Sequence, residues 1–250
     1  AKVKASKSER LASMLGVTGV LRFVETAGLH GKGLLVLAYH RVLDIDPGRY
    51  PFDEEVVSAS CEAFDRQMSF VGKNFDVITF ADLKKFREGG IRPPRRPLII
   101  TFDDGYADNY FNAFPILKKY RVPATIFVTT GYVGTKEPFW FEKTVFWMKH
   151  SREGLKTLER LGIPADEGGK VPYGRVLEYM KKADDNVRLQ IIEEFENERS
   201  AMPDEKEADL VRPLNWDEVR EMSAWGIEIG SHSVTHPILS RIRDEELAFE

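Results

Sequence analysis

Two adjacent aspartates, Asp103 and Asp104, close the apolar run of the stretch PLIITFDDGYADNY, residues 97–110. Like charges placed together at the end of a buried strand cost free energy unless something positive lies close by. A second apolar run ends in a comparable way: IGSHSVTHP, residues 229–237, carries His232 and His236 four positions apart. Two imidazoles at that spacing converge if the chain turns helically after the strand. Two imidazoles and one carboxylate make a three-ligand set with a coordination position left for water, the arrangement of catalytic zinc. A cation held there would answer the aspartates. Successive strand side chains point to opposite faces, so one aspartate is the ligand and the other is free to take a proton. Gly105 permits a sharp turn and a close backbone approach, which can present amide N–H groups to an oxyanion. Alone, DDG is an ordinary turn and a strand-end histidine an ordinary structural group. Their co-occurrence is what suggests chemistry.

The elements carrying these residues must bring them to one place. Five short apolar segments read as buried strands: residues 33–40, 75–79, 97–102, 123–129 and 226–232. Helical patterns lie between several of them. Phe64, Met68 and Val71 fall on one helical face, Thr79 is a candidate N-cap with Asp82 in the first turn, and Asn215 and Glu218 form a capping pair with Gly226 past the helix end. Strands alternating with helices predict an α/β fold with a parallel sheet, whose strand C-termini share one rim. Both polar features fall on that rim. Residues 137–213 interrupt the alternation with helical text and no convincing strand. The aromatic-rich EPFWFEKTVFWMKH and the stripe Val187, Ile191, Phe195 read as core, with a lid as the alternative for an insertion beside a site.

Composition narrows the function. With 250 residues, 42% of them hydrophobic, the chain can bury a substantial core, and a formal charge of -4 argues against a nucleic-acid partner. The basic cluster IRPPRRP, residues 91–97, reads as a solvated loop. Cys61 is the sole cysteine, so no internal disulfide and no thiolate cluster is available, and any metal must use imidazole and carboxylate. No apolar run is long enough to span a bilayer. Residues 1–32 read as an amphipathic helical segment, with peripheral membrane contact as the alternative. Glu9, Arg10, Arg22 and Glu25 break any signal-peptide core, which favours a cytoplasmic or membrane-peripheral location. The uncapped ending RDEELAFE and the open edge of a five-stranded sheet lead us to expect that the fold continues past Glu250 or is completed by another chain.

At this point the motifs resemble a family. TFDDGY (101–106) and SHSVTH (231–236) are similar to the first two motifs of the polysaccharide deacetylases, the NodB-homology domains of carbohydrate esterase family 4. The likeness covers roughly residues 33–134 and 214–250. LAYHRV (37–42) is similar to the first strand of the branch acting on exopolysaccharides such as poly-N-acetylglucosamine. The resemblance implies a deformed (β/α) TIM-like barrel, here with a helical insertion at 137–213 and with its C-terminal strands missing. It implies that Asp103 is the general base, that Asp104, His232 and His236 bind the metal, and that the backbone N–H of Tyr106 meets the oxyanion. His40 would lie on the rim with a substrate or supporting role, and core packing is its structural alternative. The family's base-orienting arginine, acetyl pocket and acid histidine would follow beyond Glu250.

The implied activity is metal-dependent removal of N-acetyl groups from an amino-sugar polysaccharide or oligosaccharide. Zinc is the first choice of ion, with cobalt or nickel accepted by the same ligands. Two other readings are deacylation of a lipid-linked amino sugar or small amide, and metal-dependent sugar binding without catalysis. Retention of both Asp103 and Asp104 disfavours the last, since a binding site needs no free base beside the ion.

Overall fold

The structure, a computed structural model, describes residues 33–151, 154–163, 173–197 and 202–250. The amphipathic helix expected at 1–32 lies outside these residues, as do short parts of the insertion. Seven strands form among them: β1 (Leu35–Tyr39), β2 (Arg41–Val42), β3 (Val57–Ala59), β4 (Asp76–Val77), β5 (Pro97–Phe102), β6 (Thr125–Val128) and β7 (Glu228–Ser231). The main sheet runs β1-β5-β6-β7, with β4 paired to the start of β5. β4, β6 and β7 are parallel to their partners, with Phe102 opposite Ile126 and Val128 opposite Ser231. The C-terminal ends of β5, β6 and β7 therefore share a rim, as the alternation of strands and helices led us to expect. The fold is α/β.

β5 is buried along nearly its whole length, because the sheet and the helices cover both of its faces. Helix α1 (Cys61–Asn74) starts where Ser60 accepts the N–H of Ala63, and it buries Phe64, Met68 and Val71 against the sheet. Burial of side chains of this size contributes about 1.5–3 kcal/mol each. Thr79 and Asp82 form a reciprocal capping box at the start of α2 (Phe80–Glu88). A short π-helical turn, Asn109–Ala113, leads into α3 (Phe114–Tyr120).

The insertion is helical where it is described: α4 (Trp140–His150), α5 (Gly154–Leu161), α6 (Tyr173–Lys182), α7 (Asp185–Asn197) and α8 (Glu205–Asp209). α9 (Trp216–Trp225) follows, boxed by Asn215 and Glu218 and ended by Gly226 at φ 110°. The last helix is α10 (Asp244–Phe249). Of the stripe expected in the insertion, Ile191 and Phe195 are buried whereas Val187 is exposed. Two hydrophobic cores result. One lies between the sheet and α1, α3 and α9, and the other joins α4, α6 and α7 to Tyr50, Phe52 and Tyr106. Tyr106 thus belongs to the insertion's core, although it sits four residues past the end of β5.

Candidate metal centre and active site

The chain leaves β5 through a tight turn. Asp103 donates its N–H to the Tyr39 carbonyl at 2.9 Å, Gly105 donates to the Asp103 carbonyl at 2.9 Å, and Asp104 and Gly105 take left-handed φ values of 70° and 80°. A non-glycine residue in that region costs about 1–2 kcal/mol, and aspartate is among the residues that tolerate it. Glycine is needed at position 105, since a Cβ there would lie 2.9 Å from Val128 Cγ1. The turn packs directly on β6.

The histidines sit on a loop rather than a helical turn. Ser233 and His236 have φ values of 62° and 59°, which break any helix after β7. The loop is held from both sides. The exit of β6 donates Thr130 and Gly131 N–H groups to the carbonyls of Ser233 and Val234 at 3.0 and 2.9 Å. A Cβ on Gly131 would come within 2.6 Å of the Val234 oxygen. From the other side the Glu250 carboxylate accepts the N–H groups of Val234 and Thr235 at 2.7 and 2.8 Å, and also the Thr235 hydroxyl. Those bonds replace the i to i−4 ladder that a helix would have used.

The two loops converge on one point. Asp104 Oδ1 lies 3.0 Å from His236 Nε2 and 3.5 Å from His232 Nε2, and one ligand atom from each of the three residues lies within 4.8 Å of the others. Among the described residues no other trio of His, Cys, Asp or Glu comes together in this way. Tetrahedral coordination at about 2.0–2.1 Å places neighbouring ligand atoms about 3.3 Å apart, so the observed separations suit a zinc-sized ion. The donor set suits it too. Burial holds the His232 imidazole below its usual range against the opposing pull of Asp104, which keeps a lone pair available. His236 Nδ1 is buried with no hydrogen-bond partner among the described residues, and its ring rests instead against Phe139 and Phe141, at centroid distances of 5.8 and 5.3 Å.

The remaining expected residues divide. Asp103 stays outside the trio and is partly exposed, yet close enough to act electrostatically on His232, as does His40. His40 is anchored through its backbone, its N–H to Ser58 Oγ and its carbonyl to Asn109 Nδ2, both at 2.9 Å. Tyr106 is fully buried, and its hydroxyl donates to Glu142 Oε1 at 2.8 Å.

That hydroxyl opens a buried network the motifs did not signal. Arg41, 1% exposed, pairs with Asp108 at 2.7 Å, lies 3.6 Å from Glu142, donates to Tyr50 and to the Leu210 carbonyl, and stacks over the Tyr106 ring at 4.3 Å. Glu142 also accepts the Asp53 N–H at 3.1 Å. One guanidinium thus faces two buried carboxylates. Burial pushes Glu142 up to about 7 despite Arg41, and it raises Asp108 as well. The only sequence cue was an arginine set in an apolar strand beside His40.

The Polysaccharide deacetylase family model matches residues 90–250. The chain belongs to the polysaccharide deacetylase family. Its parallel strands with helices between them are the α/β architecture described above. Among relatives, the poly-beta-1,6-N-acetyl-D-glucosamine N-deacetylase of Staphylococcus epidermidis is 34% identical over 109 residues, 40% of this chain and 37% of that protein. The Staphylococcus aureus protein of the same name is 39% identical over 79 residues, 31% of this chain and 27% of that protein. The chain spans about a third of the length of the curated relatives it matches. Among solved structures, the Streptococcus pyogenes deacetylase PplD in complex with acetate aligns with a TM-score of 0.49 at 17% identity, covering 87% of this chain and 63% of that one.

Proposed function

We propose that this chain carries the metal-dependent active site of a deacetylase, acting on N-acetyl groups of an amino-sugar polymer, with poly-N-acetylglucosamine as the substrate class. The observation that carries the reading is the convergence of Asp104, His232 and His236 beside an uncommitted carboxylate, Asp103. Zinc is the favoured ion, with cobalt or nickel suited to the same donors. When bound, the ion supplies a Lewis acid that polarises the amide carbonyl and makes water acidic near neutral pH.

The chain's own residues do the rest. Asp104, His232 and His236 would hold the ion through one oxygen and two Nε2 atoms. Asp103 accepts the proton of the attacking water, a role open to it because it does not join the trio. The Tyr106 backbone N–H donates to the oxyanion as it develops. His40, on the same rim, contacts substrate or supports the ligands. The leaving amine needs a proton, which a general acid at the site would supply.

The test is acetate release from N-acetylglucosamine oligomers by the chain, stripped with a chelator and then supplied with zinc or cobalt. Release restored by metal supports the reading. Stoichiometric metal binding with no release from these oligomers or from lipid-linked amino sugars overturns the catalytic part of it.

A further inference from the structure

Four consecutive residues at the start of the insertion, Phe139, Trp140, Phe141 and Glu142, all touch one or other loop of the candidate site. The Phe139 ring meets Tyr106 on one loop at 5.1 Å and His236 on the other at 5.8 Å. The Trp140 indole N–H donates to the His236 carbonyl at 3.0 Å. The Phe141 ring lies 5.3 Å from the His236 imidazole and stacks on Phe139 at 5.4 Å with an interplanar angle of 1°. Glu142 accepts the Tyr106 hydroxyl at 2.8 Å, two residues beyond Asp104. These residues are buried, Trp140 to 4% and Glu142 to 0% exposure, so the contacts are made within a packed core rather than by a mobile cover.

The turn from β5 and the loop after β7 are separate in sequence, and each contains left-handed residues that its own backbone does not favour. Something must fix their separation, because a metal site tolerates little error in ligand position. The exit of β6 ties them along the rim, and residues 139–142 tie them from the insertion side. We infer that residues 139–142 form a positioning clamp for the metal site, with Trp140 setting the His236 loop and Glu142 setting the Tyr106 end of the aspartate turn. The clamp explains why the insertion begins where it does: it is built into the centre, not laid over it. The inference rests on the metal-site reading above.

Cobalt(II) serves as the probe, because its visible spectrum reports coordination geometry whether or not acetate is released. Affinity is measured by competition with a chromophoric chelator, for wild type, Trp140→Phe, Glu142→Gln and Trp147→Phe. Trp147 is the matched control: it lies on α4, its buried indole N–H has no partner among the described residues, and its ring stacks on Phe195 at 4.0 Å. Trp140→Phe is expected to weaken cobalt binding about tenfold and to shift the spectrum. Glu142→Gln is expected to shift it in the same sense, and Trp147→Phe to leave it unchanged at whatever melting temperature it shows. Wild-type affinity and spectrum in a folded Trp140→Phe overturn the clamp, as does an equal shift in Trp147→Phe. If Glu142→Gln does not fold, Trp140→Phe decides. Cobalt binding without acetate release overturns the deacetylase reading while the spectra still decide the clamp, and no cobalt binding by wild type overturns both.

Discussion

Asp104 Oδ1 meets His236 Nε2 at 3.0 Å, and both residues hold left-handed backbone, at φ 70° and 59°. Two of the three candidate ligands therefore sit in conformations that cost about 1–2 kcal/mol each. Such conformations persist where the surroundings over-determine them, and here the surroundings are identifiable: Val128 under the aspartate turn, and Gly131 and Glu250 around the histidine loop. The backbone strain and the ligand convergence are parts of one arrangement.

The division of labour between the aspartates is testable at once. Asp103→Asn should keep metal binding, since Asp103 is outside the trio, and should lower turnover by about 10²–10⁴. His232→Ala should lose metal and turnover together. Metal content and acetate release measured on the same samples separate the two roles, and full turnover in a metallated Asp103→Asn would refute the assignment.

Gly105→Ala should destabilise the fold by about 1–3 kcal/mol, through the positive φ and the contact with Val128. Gly174, on α6, is the comparison. It has nothing within 4 Å of an added Cβ, so Gly174→Ala should stabilise by about 0.4–1 kcal/mol. Urea midpoints of the two variants should move in opposite directions.

Much of this was legible in the residues. The caps at Thr79 and Asn215 and the face of Phe64, Met68 and Val71 are local rules, satisfied within a few positions. That the aspartate pair would meet His232 and His236 was legible because strand ends in a parallel sheet share a rim whatever the loops between them do, whereas Asp104 rather than Asp103 was named through the family resemblance. β2 and β3 were not read, being two and three residues long, too short for alternation to register. Nor was the loop carrying His232 and His236, whose spacing suggested convergence only if the chain turned helically, because the Glu250 carboxylate that holds it comes from elsewhere in the chain. Arg41, Asp108 and Glu142 escaped for the same reason. Their pairing spans 67 residues in one case, and no local pattern encodes it.

The network around Glu142 gives a pH dependence with a definite sign. Its folded pKa, about 7, stands above the ordinary 4.5 because burial disfavours the carboxylate, so the folded state binds its proton more tightly than the unfolded chain does. That contribution is fully present below the unfolded value and is lost as pH rises toward about 7. Relative to Glu142→Gln, wild-type stability should therefore fall between about pH 4.5 and 7, by at most about 1.4 kcal/mol per pH unit. Asp108 is raised by burial too and contributes in the same direction in both proteins, so the difference between them isolates Glu142. Paired melting curves across that range make the check, and a difference that stays flat or grows with pH would contradict it.

The Glu250 carboxylate behaves oppositely. Its partial burial raises its pKa, but the hydrogen bonds from Thr235 and Val234 outweigh that and hold it below the ordinary value. A depressed carboxylate stabilises its partners above the unfolded pKa and releases them as pH falls through the folded one. The group it anchors is the loop between His232 and His236, so the loss should register first at the metal. Glu250→Ala leaves the N–H groups of Val234 and Thr235 without their acceptor while touching neither imidazole. Metal affinity should drop about tenfold or more, the range seen when groups that orient ligands are removed. The melting temperature of the metal-free protein should change little, because α10 has no buried residue of its own. Equal metal affinity in Glu250→Ala and wild type would mean that the exit of β6 alone suffices to hold the histidines.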